Sequence, residues 1–465
     1  MRRLIIIGVI IVIPVFLVVL LLTGALRRPQ PKIDPITLTY WTVQDEASVF
    51  SDIIAKYQAS HPYIKINVVK QRSENYDQAL IQAWARGTGP DIFSIQNNQV
   101  GAYADLIAPL PDQTSVYYYE IKQILLRKQL TKTKRSTPSI SLARFGTDFI
   151  DVVPTDTVRN GKIYGLPLSM DSLAIYFNRD ILNTADIVNP PTTWGELVQQ
   201  VGRLTLLDSQ SSVIQSAIGL GRADNVAHAV DIASLLMLQN GTAMTDASGR
   251  LVQFERGTDE YNPGLRALGF YTDFADPTKE VYTWTKQFSN SLDNFIEGKI
   301  AYYIGTLADR PTIDERGQQL NYDVAPMFHI NDDGTDTSGL TNARIKMNAA
   351  TYWIETVAQR STHQNEAWNF VQFMNQSSNI GAYLEKTGRV SALRKNLAAQ
   401  VGNQRLAVFA SQALSAKSWY HGENWSDAQS ALAEMINAVA DKTAEPGAAL
   451  TRAAKQVQLT YFRSQ

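Results

Sequence analysis

Residues 36–95 read ITLTYWTVQDEASVFSDIIAKYQASHPYIKINVVKQRSENYDQALIQAWARGTGPDIFSI, and their periodicity decides the fold. Ile36-Thr37-Leu38-Thr39-Tyr40-Trp41 has the make-up of a strand. Val49, Phe50, Ile53, Ile54 and Tyr57 then recur at helical spacing and form one apolar face. Ile64-Lys65-Ile66-Asn67-Val68-Val69 is a second strand, and Tyr76, Leu80, Ile81 and Trp84 mark a second helix. Gly87 can end that helix in a left-handed cap, and Asp91-Ile92-Phe93-Ser94-Ile95 is a third strand. Strands alternating with helices predict a parallel α/β sheet, whose ligands bind beyond the carboxyl ends of the strands. Gln44 and Asp45 follow the first strand, and Gln96, Asn97 and Asn98 follow the third, so all five are candidates for one ligand site.

Working outward, residues 4–22 are an uncharged apolar run, long enough to cross a bilayer as a helix. Arg2 and Arg3 flank it on one side and Arg27 and Arg28 on the other, so charge does not decide its orientation. A secretory signal has a shorter apolar core, and Thr23-Gly24-Ala25 is a poor cleavage site. Residues 1–26 are therefore expected to be a transmembrane anchor or uncleaved signal, and 27–35 a stiff Pro-containing linker. The expected location is the cell membrane, as a single-pass anchor with the soluble part on the extracytoplasmic side.

Composition removes several function classes. Lys plus Arg total 43 and Asp plus Glu 44, so no global field draws the chain to nucleic acid. There is no cysteine, which excludes disulfides, thiolate metal sites, cysteine nucleophiles and lipid attachment through an N-terminal Cys. The five histidines show no metal-ligand spacing, and neither a Gly-x-Ser-x-Gly elbow nor a phosphate loop is present. No cofactor and no metal are expected.

Asn160-Gly161 reads as a hairpin turn into a strand, and Leu173-Ala174-Ile175-Tyr176-Phe177-Asn178 as a buried strand. Leu168-Ser169-Met170-Asp171 would cross from one lobe to another between them. Thr193 and Glu196 have capping-box spacing and predict a helix start. Residues 112–150 carry Tyr117-Tyr118-Tyr119 and a basic run. The plain expectation there is a solvated helix and loop; the sharper one is a contact for anionic lipid headgroups or a membrane partner. Residues 331–336 read as a polar hairpin loop, since they lack the closing Glu of a calcium loop.

Several motifs in order carry a resemblance. They are Trp41 at a strand end with His61-Pro62 opening the next strand, Gly87-Thr88-Gly89-Pro90-Asp91 with Tyr103-Ala104-Asp105-Leu106, and Tyr176-Phe177-Asn178-Arg179-Asp180 with Pro191-Thr192-Thr193-Trp194. Phe295-Ile296-Glu297-Gly298-Lys299 and Thr387-Gly388-Arg389-Val390 complete the set. Together they resemble the extracellular solute-binding proteins of ABC transporters, in the family that includes maltose-binding protein. The resemblance implies a two-lobe, type II periplasmic-binding-protein-like α/β fold with hinge-linked lobes. It implies lobe 1 at 36–168 plus 324–388 and lobe 2 at 172–322 plus 390–465.

The resemblance further implies a monomeric importer component that captures a carbohydrate, an oligosaccharide or polyol, by hinge closure and delivers it to a permease. The alternatives on the same fold are an anchored, exported glycan-active enzyme and an adhesion or scaffold protein. Site candidates follow residue by residue. Asp171 stands where relatives put an acidic ligand contact, with a structural salt bridge as its alternative. Trp419, Tyr420 and Trp425 cluster where relatives present a stacking aromatic, and Trp284 is a weaker candidate. Asp45 has helix capping near Ala47 as its alternative. Arg222, Asn225, His228 and Asp231 lie near a helix start that can face the cleft, whereas Trp194 and Trp368 are expected in cores.

Overall fold

The computed structural model describes residues 33–124, 127–258, 260–330 and 346–462. The expected anchor, the linker up to residue 32 and the loop at 331–336 lie outside the described residues. Among the described residues no helix is long and apolar enough to cross a membrane.

The opening stretch folds as its periodicity predicts. β1 (Ile36–Thr42), β2 (Ile64–Lys70) and β3 (Ile92–Gln96) form a parallel set, with β1 in the middle. Ile36 lies opposite Ile64 and Tyr40 opposite Ile92. Helices Ser51–Ser60 and Tyr76–Ala85 make the crossovers. Gly87, at φ +71°, takes the left-handed turn beyond the second helix, which a side chain would strain.

The next segment corrects an expectation. In place of a helix and loop, β4 (Gln113–Ile124) and β5 (Arg127–Pro138) form a long antiparallel hairpin. The reason is a period of two rich in β-branched and aromatic residues: Thr114, Val116 and Tyr118 share one face with Arg135, Thr133 and Thr131 across the ladder. Helix Leu142–Asp148 follows. β6 (Val158–Arg159) and β7 (Lys162–Ile163) then form the small hairpin around Asn160 and Gly161, both at positive φ.

β8 (Ser169–Ser172) crosses out of the first lobe, and β9 (Ala174–Asn178) enters a second sheet. That sheet contains β10 (Leu206–Leu207), β11 (Val213–Ile218), β12 (Ile300–Gly305) and β13 (Tyr322–Pro326), in the order β10-β11-β12-β9-β13. The lobe boundary expected at 322–324 falls on β13, which belongs to this second sheet because it pairs with β9 from Tyr322 opposite Asn178 to Pro326 opposite Ala174. The capping box holds: Glu196 N–H donates to Thr193 Oγ1 at 3.1 Å, opening helix Trp194–Leu204.

The chain returns through β14 (Asn348–Thr351) to β15 (Trp353–Val357), which pairs antiparallel with β3 at the edge of the first sheet. β16 (Val390–Ser391) and β17 (Ala416–Lys417) join β8 and β14 in a crossing sheet between the lobes, ordered β16-β8-β14-β17. The last two helices, Trp425–Ala440 and Pro446–Leu459, pack on each other and on helix Pro263–Asp273 of the second lobe. Trp194 and Trp368 are fully buried, one in each lobe, and each indole N–H finds an acceptor. The result is a pair of α/β lobes with a shared floor of crossing strands.

Candidate functional site

The crossing strands bring polar side chains from both lobes to one cavity of about 540 Å³. Gln44, half-buried just past β1, and Asp171, on β8, line it from the floor. Arg310, Arg389, Arg405 and Tyr352 join its polar wall, with Glu385 and Lys386 beside them. Asp171 lies opposite Thr351 of β14. Its Oδ1 accepts the N–H groups of Ser172 at 2.8 Å and Leu307 at 3.0 Å, and its Oδ2 accepts that of Ala308 at 2.9 Å. Burial pushes the carboxyl up to about 6, helped by the charge of Asp309, while the three backbone donors pull it down. A carboxylate offers about four acceptor positions, so one remains for a ligand hydroxyl.

Arg310 Nη1 donates to the Arg405 carbonyl at 2.9 Å, and Arg405 pairs with Asp314 at 2.7 Å. The Nε groups of Arg310 and Arg389 are buried without a partner among the described residues, which leaves donors beside the cavity. Arg389 was weighed from the sequence, on the last crossing segment and with a hinge salt bridge as its alternative; Arg310 and Arg405 were not, and only their convergence in space marks them.

Asp45 does not cap the helix start expected near Ala47. The turn Ala47–Phe50 is preceded by Glu46 and has no side-chain cap. Asp45 is buried instead, accepting Tyr383 O–H at 2.7 Å and an Arg389 N–H at 2.8 Å. The pair fixes the end of β1 to the segment leading into β16.

Asn97 belongs to a second group. Its amide donates to Asp156 Oδ2 at 2.9 Å, as does Tyr352 O–H at 2.5 Å. Asp156 Oδ1 accepts from Ser418 Oγ and lies 3.2 Å from His421 Nε2. Side chains from three chain segments distant in sequence thus converge on one buried carboxylate, and no local pattern announces it. Beside it the backbones meet: a Cβ added at Gly101 would lie 2.0 Å from the Gly422 carbonyl oxygen. The lobes touch at this end and stand apart at the Asp171 cavity. Asn98 is half-buried next to the group, and its Oδ1 is buried without a partner among the described residues.

The aromatic candidates separate by burial. Trp284 is fully buried in the second lobe, with its indole N–H donating to Asn225 Oδ1 at 2.8 Å. It presents no face to a ligand, because Asn225 and Phe288 enclose it. Tyr420 is also buried, its hydroxyl donating to Thr460 Oγ1 at 2.8 Å. Trp419 packs against Phe254, Tyr420 and Trp425, and of the three cluster members only Trp425 is half-exposed. Arg222 is tied to Asp224 and Asp441. Burial opposes charge on His228, but Asp231 and Asp309 outweigh it and push the imidazole up to about 10. Among the described residues no group of three or more His, Cys, Asp or Glu side chains could hold a metal ion.

Comparison with known proteins completes the assignment. The family described as bacterial extracellular solute-binding protein matches residues 52–409, most of the chain. The chain belongs to that family. A binding protein of Brucella abortus (strain 2308) is 24% identical over 274 residues, covering 56% of this chain and 59% of the relative. The maltodextrin-binding protein MdxE of Bacillus subtilis (strain 168) is 25% identical over 242 residues, covering 50% of this chain and 51% of the relative. The chain therefore spans little more than half the length of these curated relatives. Among solved structures, a cyclo/maltodextrin-binding protein complexed with maltotetraose superposes with a TM-score of 0.68 at 16% identity, over 92% of this chain and 98% of the other. The maltose-maltodextrin binding protein of Alicyclobacillus acidocaldarius gives 0.66 at 17% identity, over 91% and 100%. At such identities the likeness speaks for the fold: the two-lobe α/β architecture is that of maltose-binding proteins.

Proposed function

We propose that this chain is the extracytoplasmic binding component of an ABC importer, capturing a carbohydrate between its lobes and delivering it to a permease. The observation that carries the reading is the cavity of about 540 Å³ that both lobes line over the crossing strands, a size that suits a small ligand. Its wall offers planar guanidinium and carboxylate groups, which pair with adjacent sugar hydroxyls. The names of the Bacillus subtilis relative and of the sugar-bound structural neighbours support the ligand class. In this reading the protein binds and releases its ligand unchanged and acts as a monomer. Strand pairing supports lobes of 36–168 plus 352–388 and 172–330 plus 390–462, with closure about the crossing sheet. The apolar run at 4–22 supports a tether to the cell membrane, with the lobes outside.

The test is thermal unfolding of the protein against a panel of sugars, polyols and oligosaccharides. A true ligand at a hundred times its dissociation constant adds about 2.7 kcal/mol of stability. A shift with peptides or polyamines and none with any glycan refutes the ligand class. Cleavage of a glycan refutes the transport reading.

A further inference from the structure

The β4–β5 hairpin takes no part in the cavity. Its ladder runs from the Gln113–Pro138 pair to the Ile124–Arg127 pair. At about 3.4 Å per residue it is roughly 40 Å long, and it pairs with no other strand among the described residues. Only its base is seated: Thr114 and Val116 are buried, and the Tyr118 ring lies 4.6 Å from that of His61.

Charge sets this arm apart from the body. Residues 113–138 carry six basic side chains and one acid, Glu120. Glu120 is spent on Arg135, whose Nε donates to it at 2.7 Å. Lys132 and Lys134 are exposed, and Lys132 Nζ stands 4.2 Å over the Tyr117 ring. The arm is therefore +5, and residues 1–32 are also +5 with no acid at all, so the remaining residues hold −11 of the chain's overall −1.

The first described residue lies against the arm. Ile33 N–H donates to Tyr119 Oη at 3.1 Å, so the chain enters the folded body along the arm. Ten residues, 23–32, separate that point from the apolar run at 4–22. Fully extended they reach about 35 Å, which matches the length of the arm. A body at −11 is repelled by an anionic bilayer, whereas the arm at +5 is attracted to it.

We propose that the β4–β5 hairpin lies against the anionic phospholipid headgroups of the membrane that carries the chain's own N-terminal segment, and that it thereby fixes the orientation of the lobes above the bilayer. The proposal rests on the tether described above. Phospholipid is favoured over a protein partner because the basic residues are spread along both strands of an arm that the chain meets at Tyr119 as it enters the body.

The experiment uses the full chain in vesicles of phosphatidylcholine, alone or mixed with phosphatidylglycerol. The chain has no cysteine, so Gln129→Cys supplies a single fluorophore on β5, and Ser430→Cys supplies a control on the exposed face of a second-lobe helix. Lipids with nitroxide headgroups quench a label that touches the surface. The expected result is quenching at position 129 only with phosphatidylglycerol, lost at high salt, and none at position 430. Each lysine neutralised in Lys122→Gln, Lys128→Gln, Lys132→Gln and Lys134→Gln weakens the contact about fivefold, so the fourfold variant reads as it does on phosphatidylcholine. Its melting temperature stays unchanged, since the described lysines are exposed. Equal quenching on both lipids, or quenching that survives neutralisation, overturns the proposal. Co-flotation at high salt reads the tether separately. A chain that floats with a silent hairpin keeps the tether and loses the proposal, and a chain that leaves the vesicles loses the tether. A label silent to lipid that crosslinks to a membrane protein assigns the arm to a permease contact instead.

Discussion

Glu355 sits in the middle of β15, inside the first lobe, at 5% exposure. Ser94 Oγ–H donates to its Oε2 at 2.7 Å, and no cation pairs with it among the described residues. Burial, with a smaller contribution from Asp45, pushes its carboxyl from 4.5 up to about 7, against the hydrogen bonds that favour the ion. That difference corresponds to about 3 kcal/mol between protonation states. The folded chain then holds a proton that the unfolded chain has released, so this group stabilises fully below pH 4.5 and stabilises less as pH rises through about 7. Glu355→Gln keeps the shape and an acceptor for Ser94 and cannot ionise. Urea unfolding of both proteins at acid and at alkaline pH reads the effect as a double difference, which cancels other titrating groups such as Asp171 and His228. The variant should gain stability relative to the parent on moving from acid to alkaline pH, by up to about 3 kcal/mol. Parallel pH profiles for the two proteins would refute the reasoning and show the carboxylate ionised inside the fold at little cost.

Four further outcomes follow from the same geometry. Asp171→Ala should cost about 1–3 kcal/mol by leaving the Leu307 and Ala308 N–H groups unpaired, and should weaken binding of the glycan found by thermal shift. In the parent, calorimetric affinity should fall as pH drops through about 6, where Asp171 takes up its proton and loses acceptor strength. Asp156→Ala should remove the acceptor shared by Asn97, Tyr352, Ser418 and His421, cost about 3 kcal/mol, and raise the radius of gyration in small-angle scattering as the lobes part. Trp284→Ala should destabilise by about 3–5 kcal/mol as a core truncation, whereas Trp425→Ala should cost distinctly less, and chemical denaturation separates the two.

The parts legible in the sequence are those written in local periodicity. Residues 36–95 carry the strand and helix periods cleanly, because β1 and β2 alternate more and less buried side chains while β3 is buried on both faces. The Thr193–Glu196 box and the Asn160-Gly161 turn were equally plain, since capping and left-handed turns select particular side chains. The β4–β5 hairpin was misread because its lysines look like a solvated helix face, while the alternation of Thr114, Val116 and Tyr118 is interrupted by three consecutive tyrosines. The site was less legible for a different reason. Gln44 and Asp171 reach the cavity because their positions at strand ends and crossings are topological. Tryptophan fills cores and lines clefts with the same chemistry, so burial alone separates Trp284 from Trp425. Asp156 gathers donors from segments near 97, 352 and 418, and only the folded chain brings those together.

Three carboxylates near the crossing sheet explain how the lobes can be joined and still separate. Asp45 takes its donors from Tyr383 and Arg389, on the way into β16, and so braces the first lobe against the floor. Asp171 takes its donors from the floor itself and from the Leu307 turn of the second lobe, and braces the other side. Asp156 alone joins Asn97 of the first lobe to Ser418 and His421, on the segment leading into the helix at 425–440 of the second. A rotation that parts Asn97 and Asp156 from Ser418 and His421 would break the third set, together with the approach of Gly101 to Gly422. The donors released from Asp156 face a polar cleft where water can replace the lost partner, so opening costs far less than burying them unpaired would. In the binding reading proposed above, the lobe contact at this carboxylate is one of the terms that set how far the cleft stands open, and a ligand that adds contacts across the Asp171 cavity would shift the balance by its differential affinity for the closed form.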